Sequence, residues 1–266
     1  MIAHEAGVRL RRWNLKRQQA RGVTEEDDAF GGYQGAIMGL MALLVGFTFG
    51  MGMDRYNTRR NLVIEETSAI SGAYRRLVIL PEPQRTRLAD SLIRYLDSRE
   101  VFAEARSDRG MAAAESRSEL SAARLWIDSA AQLTGKGAPP DAGAALGAID
   151  AMLKAAVMRR EALNARVPVN VVRAMLIYAV VAAGFIGYGD KKGRRHFLPS
   201  TVQLVLLALA IGLILDLDTA RTGVIRVDET PLLRVAERVR GFETERRKTM
   251  GLPPPPARSA AADGSD

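Results

Sequence analysis

Apolar residues fall along this chain in two rhythms. In three stretches they run almost unbroken, and elsewhere they recur every three or four positions. Ala36 to Met53 and Ala174 to Gly189 carry no formal charge, and neither does His196 to Leu215 with histidine neutral. About twenty apolar residues, each rising 1.5 Å, cross a hydrocarbon core of roughly 30 Å. The runs therefore predict transmembrane helices over residues 35–53, 168–188 and 199–218. From Val202 to Leu215 the one polar side chain is Gln203. The large aliphatic residues of that stretch together favour insertion by about 3–6 kcal/mol. A helix buried in a soluble bundle shows a polar stripe, and this run has none. Arg173 falls near one end of the second span, where its long side chain reaches the interface. No long apolar stretch precedes Ala29, which argues against a cleaved signal peptide.

Between the first two spans the rhythm becomes helical. Tyr56, Val63, Ile70 and Leu77 recur every seven residues, and Arg59, Glu66, Ala73 and Leu80 form a second row. No proline occurs from the first span to Pro81, so that span is expected to run on as a rod until Pro81 and Pro83 end it. Arg59 and Glu66 fall in its seam, where an ion pair would set register between helices. The alternative is a solvated pair worth at most about 1 kcal/mol. Arg85 to Ser107 reads as an amphipathic helix with Leu88, Leu92, Tyr95, Leu96 and Phe102 inward. Met111 to Thr134 reads as another, with Leu120, Ala123, Ile127 and Ala131 on one face. GKGAPPDAG at 135–143 is a loop. Leu146, Ile149, Leu153, Ala156 and Leu163 then restore a helical stripe that runs into the second span. After the third span, Gly223 to Val227 reads as extended, and Thr230 with Pro231 fits an N-cap and first helical position.

The expected organisation is a basic N-terminal segment (1–34), a transmembrane helix (35–53) and a helical extramembrane domain (54–167). A second span (168–188), a basic loop (189–198) and a third span (199–218) follow. A C-terminal helical segment (219–250) and a disordered tail (251–266) complete the chain. The fold class is all-α: an integral membrane protein with a helical bundle outside the bilayer.

Composition narrows the chemistry. The 266 residues carry a net charge of +8 and a pI near 10.1. The excess is spread along the chain. Its densest cluster, Lys191, Lys192, Arg194 and Arg195, lies between two apolar runs and suits lipid headgroups better than a duplex. The bilayer is thus an expected partner and nucleic acid is not. Cysteine is absent, which excludes disulfides, thiolate zinc sites and thiol nucleophiles. His4 and His196 are the only histidines, too few for a multi-histidine metal site. No Walker A sequence, HExxH pair or Ser/His/Asp set is evident, so neither an enzyme nor a cofactor is expected. The GFIGYG run at 184–189 faintly suggests a nucleotide loop. It lacks the strand–turn–helix context and lies in a span, and is set aside.

Two groups of residues are candidates for function. Gly35, Gly39, Ala42, Gly46 and Gly50 form a small-residue stripe on the first span. Small residues let helices approach closely in lipid, so the stripe is expected at an oligomer or bundle interface, or beside a pore. The opposite face carries Ile37, Leu40, Leu44, Phe47 and Met51, which reads either as a hydrophobic constriction or as a surface that meets lipid. Asp216 and Asp218 stand where the third span leaves hydrocarbon. They are weak candidates for a cation, since calcium takes six to eight oxygens. Pairing with Arg221 or another basic side chain is the simpler reading.

One string carries a resemblance. GLMALLVGFTFGMGMDRYNTRRNLVIEETSAISGAYRR, followed by Leu80 and Pro81, resembles the bestrophin-like family of bacterial membrane proteins. The likeness rests on Arg55, Tyr56, Arg59, Arg60, Glu66, Ala69 and Ile70, with Thr67 and Ser68 standing where the family has Ala and Asn. RRHFLPS and DLDTARTGVIRV are similar to its second half, although Thr219 and Ala220 replace an Arg-Pro pair. The resemblance covers about residues 1–240. Family members carry a further span before the EAGVRLRRW-like stretch, so by the resemblance a fourth, N-terminal span is missing here: either the start is assigned too late or the protein works with three spans. True bestrophins are anion channels with a cytosolic helical domain. The resemblance therefore implies a multi-pass homo-oligomer of the cell membrane that conducts small anions, its large insert on the cytoplasmic side. Basic residues flank the spans on both sides and leave the orientation open. The alternative is a membrane-anchored helical scaffold or regulator without transport.

Overall fold

In a computed structural model the described residues are 2–19, 27–105, 108–189, 197–219 and 223–258, and they contain no strand. Their helices are α1 (Ile2–Gln19), α2 (Asp27–Val78), α3 (Gln84–Glu104), α4 (Asp108–Leu133), α5 (Ala142–Asn164), α6 (Val169–Gly189), α7 (Phe197–Asp218) and α8 (Thr230–Met250). The chain divides into two compact units. One joins Met1–Tyr56 to Arg166–Ile225, and the other joins Asn57–Ala165 to Arg226–Asp266.

The first unit gathers the apolar helices. Met41 of α2, Met175 of α6, and Ile211 and Ile214 of α7 form its buried cluster, with Leu44, Val45, Phe49, Ala179 and Leu207 packed against it. Many large side chains point away from that cluster. Leu40, Phe47, Ile177, Val180, Leu206 and Leu209 are all more than half exposed. So much apolar surface is stable in lipid and not in water. The stretches long and apolar enough to cross a membrane fall within Gly35–Val78, Ala142–Tyr188 and Thr201–Asp218. These match the three runs of the hydropathy pattern. Thr48 is buried and donates to the Leu44 carbonyl at 2.7 Å, a bond within the helix that satisfies a hydroxyl without water.

Hydropathy does not announce α1. It packs on α6 through glycine: a Cβ at Gly7 would overlap the Gly184 carbonyl oxygen, and one at Gly187 would overlap that of His4. Arg11 Nη1 donates to the Tyr188 carbonyl at 2.9 Å, and Asn14 Nδ2 donates to the Tyr188 hydroxyl at 3.0 Å. The basic cluster at Lys191–Arg195 lies outside the described residues.

The second unit is a helical bundle. Its core joins Ile70, Ala73 and Leu77 of α2 to α3, α4, α5 and α8. Both seven-residue rows of α2 are buried within it, Val63 and Ile70 on one, Arg59 and Glu66 on the other. Helix α3 buries its expected face, Leu88, Leu92, Tyr95, Leu96 and Phe102. Helix α4 does not. Leu120 and Ile127 are 62% and 63% exposed, while Ala114, Ser118, Leu125, Ser129 and Leu133 are buried. Small side chains on that face permit close packing, and Ser129 returns its proton to the Leu125 carbonyl at 2.6 Å. The less apolar face therefore wins the core.

Helix α8 starts one residue earlier than its sequence signal suggests. Glu229 is the N-cap and Pro231 lies in the first turn, while Asp228 Oδ1 accepts from the Thr230 amide at 2.9 Å. Leu232, Val235, Ala236 and Val239 then enter the core. The helix ends at Gly251, whose φ of 65° closes a left-handed cap. Beyond it Arg247 Nη1 donates to the carbonyls of Pro253 and Pro254, each at 3.4 Å. Residues 259–266 of the expected tail lie outside the described residues.

Candidate functional site

Among the described residues the glycine stripe of α2 meets no packing partner. At Gly35, Gly39, Gly46 and Gly50 a Cβ would have no neighbouring atom of the described residues within 4 Å, and Ala42 is exposed. The face opposite the stripe is split. Leu44 turns into the Met41 cluster, whereas Leu40, Leu43, Phe47 and Met51 join the stripe on one exposed arc. Such an arc presents a bare backbone ridge flanked by large apolar side chains. It can seat another helix closely.

The seam of α2 continues into a buried charge hub. Glu66 is 0% exposed. Arg99 Nε of α3 donates to its Oε1 at 2.7 Å, and Arg159 Nη1 of α5 donates to its Oε2 at 2.6 Å. Arg159 also pairs with Glu229, which tethers the residue before α8. Arg99 donates in addition to Ser118 of α4 at 3.3 Å and stands 4.7 Å over the Phe102 ring. One carboxylate thus gathers three helices directly. Burial works against the Arg99 charge, but Glu66 outweighs it and holds the guanidinium above its ordinary value. Removing one member of such a set leaves an uncompensated buried charge.

Arg59 has its own role. Its Nε and Nη2 donate to the carbonyls of Ala162 and Ala165 at 3.1 and 2.8 Å. Those carbonyls end α5, where an arginine both satisfies orphan acceptors and complements the helix dipole. Of the remaining resemblance residues, Arg55 and Tyr56 are half-buried, Arg60 is exposed, Ala69 packs against the core and Ile70 is fully buried. The pattern of the sequence brings Arg59 and Glu66 into the seam but gives neither partner. Arg99 and Arg159 lie 33 and 93 residues from Glu66. The available signal was an arginine in register with the apolar stripe of its helix.

Asp216 and Asp218 serve the backbone. Asp216 Oδ1 and Oδ2 accept from the amides of Val224 and Ile225 at 2.7 and 2.8 Å. Gly223 allows that loop to curl so tightly, since a Cβ there would come within 2.7 Å of Asp216 Oδ1. Asp218 Oδ1 accepts from the Val167 amide at 2.7 Å, just before α6. Among the described residues no group of three or more His, Asp or Glu could hold a metal ion. Arg221 lies outside them, and Arg173 is exposed on α6. The GFIGYG run, set aside as a nucleotide loop, is the glycine contact of α6 with α1. Two glycines three apart in an apolar helix were its signal.

Comparison with known proteins agrees with this architecture. The bestrophin-like domain matches residues 8–232. Crystal structures of a bacterial bestrophin homologue from Klebsiella pneumoniae share the fold at low sequence identity. One of them, at 14% identity, has a TM-score of 0.59 and covers 95% of this chain and 97% of the other. A point variant of the homologue, at 12% identity, reaches 0.60 over 90% and 93%. No curated protein gives a significant match. With all-helical architecture, three candidate spans and a family match over most of its length, the chain belongs to the bestrophin-like family of membrane proteins.

Proposed function

We propose that the chain assembles into a homo-oligomer that conducts small anions across the cell membrane, with the exposed arc of α2 lining or bracing the pore. The observation that carries this reading is the arc itself. A Cβ placed at Gly35, Gly39, Gly46 or Gly50 would meet nothing within 4 Å among the described residues, and Phe47 beside them is 67% exposed. A stripe of this kind in a membrane helix finds its partner on another helix. The apolar residues left outward on α4, Leu120 and Ile127, favour further contact between copies. Kinship with anion channels comes from the family, and Phe47, Leu40 and Met51 are the side chains of a hydrophobic constriction in this reading. The helical insert faces the cytoplasm, and the protein is a conductor and not an enzyme.

The test is chloride flux. Full-length protein of verified oligomeric size, reconstituted in liposomes, is expected to release chloride faster than empty vesicles. Flux equal to that of empty vesicles overturns conduction and leaves the membrane scaffold.

A further inference from the structure

Beside the Glu66 hub, α3, α4 and α5 border a cavity of about 80 Å³. Its polar lining includes Tyr95, Arg99 and Ser118, and its apolar lining includes Phe102, Ala122 and Val157. Tyr95 and Arg99 are 1% and 3% exposed. Among the described residues the Tyr95 hydroxyl and Arg99 Nη2 have no hydrogen-bond partner. Arg99 places Nε on Glu66 and Nη1 on Ser118, and its third nitrogen is left over. Ser118 accepts through its oxygen and keeps its proton to donate. An orphaned buried donor is costly, most of all a charged one.

These orphans are donors. Burial pushes the Tyr95 phenol up, so it stays protonated. Water would bring two protons of its own, and the nearby carboxylates are already engaged: Glu115 and Glu119, which also border the cavity, pair with Arg160. A species with lone pairs and no protons fits better. Water's share of liquid volume is about 30 Å³, so the space admits a small anion with a water beside it. We propose that this cavity is a binding site for a small monovalent anion, chloride or nitrate in size and chemistry, held by Arg99 Nη2 and the hydroxyls of Tyr95 and Ser118. The site ties α3 to α4 and does not depend on whether the chain conducts.

The test uses full-length protein in detergent, melted at fixed ionic strength in mixtures of chloride and gluconate. Gluconate is too large for the cavity. A saturable rise in melting temperature with chloride is expected, since a ligand that binds only the native state stabilises it. Tyr95→Phe removes an unpaired hydroxyl, so melting in gluconate should stay near wild type. Its half-saturating chloride concentration should rise about tenfold. Ala122→Leu fills the space and should abolish the response. In crystals soaked with bromide, an anomalous peak is expected within hydrogen-bonding distance of Arg99 Nη2. Equal melting in chloride and gluconate overturns the site, and so does a chloride shift that both variants keep. That second outcome would place the anion elsewhere, the pore included, and leave conduction untouched.

Discussion

Gly7 of α1 and Gly184 of α6 meet so closely that a Cβ on Gly7 would overlap the Gly184 carbonyl oxygen. Backbone cannot step aside as a flexible side chain can. Gly7→Ala, or Gly187→Ala against His4, should therefore separate the two helices and destabilise the protein by about 1–3 kcal/mol. Limited proteolysis in detergent would read this as faster cleavage within residues 2–19. Unchanged cleavage would mean that α1 is not seated on α6.

Removing the centre of the charge hub should matter more. Glu66→Ala leaves Arg99 and Arg159 without the carboxylate they share, and is expected to cost about 3–5 kcal/mol. Replacing Arg99 and Glu66 together by methionine should cost less than either single change, because no lone charge remains between that pair. A thermodynamic cycle from thermal melts checks this. Strictly additive losses would show that the pair acts independently.

On α2 the expected outcome separates folding from assembly. Gly39 and Gly46 have open space where a Cβ would stand, so Gly39→Leu or Gly46→Leu should leave the helix content of the chain unchanged. The oligomer, measured by light scattering in detergent, should shift to smaller species. An unaltered oligomer size excludes the stripe from the interface between copies.

At the end of α7, among the described residues, Asp216 accepts from the amides of Val224 and Ile225, and Asp218 from that of Val167. Asp216→Ala should lower stability by about 1–3 kcal/mol through the two orphaned donors. Chelator or added calcium should leave the wild-type melting curve where it is. A calcium-dependent rise that Asp216→Ala abolishes would restore the cation reading.

Much of the architecture is written in hydropathy. The three unbroken runs mark the stretches that cross lipid, and the seven-residue rows of α2 mark the seam that buries Val63, Ile70, Arg59 and Glu66. The resemblance read from the sequence rests on the string around Arg55–Ile70, and the family match spans residues 8–232. Other features leave weaker marks. The α1–α6 contact depends on the absence of side chains at Gly7, Gly184 and Gly187, and an absence has no hydropathy. Helix α4 misleads because Leu120 and Ile127 point outward while Ser118 and Ser129 share the buried side with Leu125 and Leu133. The partners of Glu66 come from α3 and α5, and periodicity along one helix cannot say which distant charge will meet it.

The end of α8 sets where the chain departs. Prolines bring carbonyls but no amide protons, so the tetraproline run after Leu252 cannot bond to itself and must borrow donors. Arg247 Nη1 lends them, while its Nη2 donates to Asp90 at 2.6 Å. Arg258 then meets Glu100 at 3.0 Å and Glu104 at 3.6 Å. A spectroscopic label on Ala257, beside Arg258, would therefore sit over the last turns of α3, a fixed reference point for distance measurements.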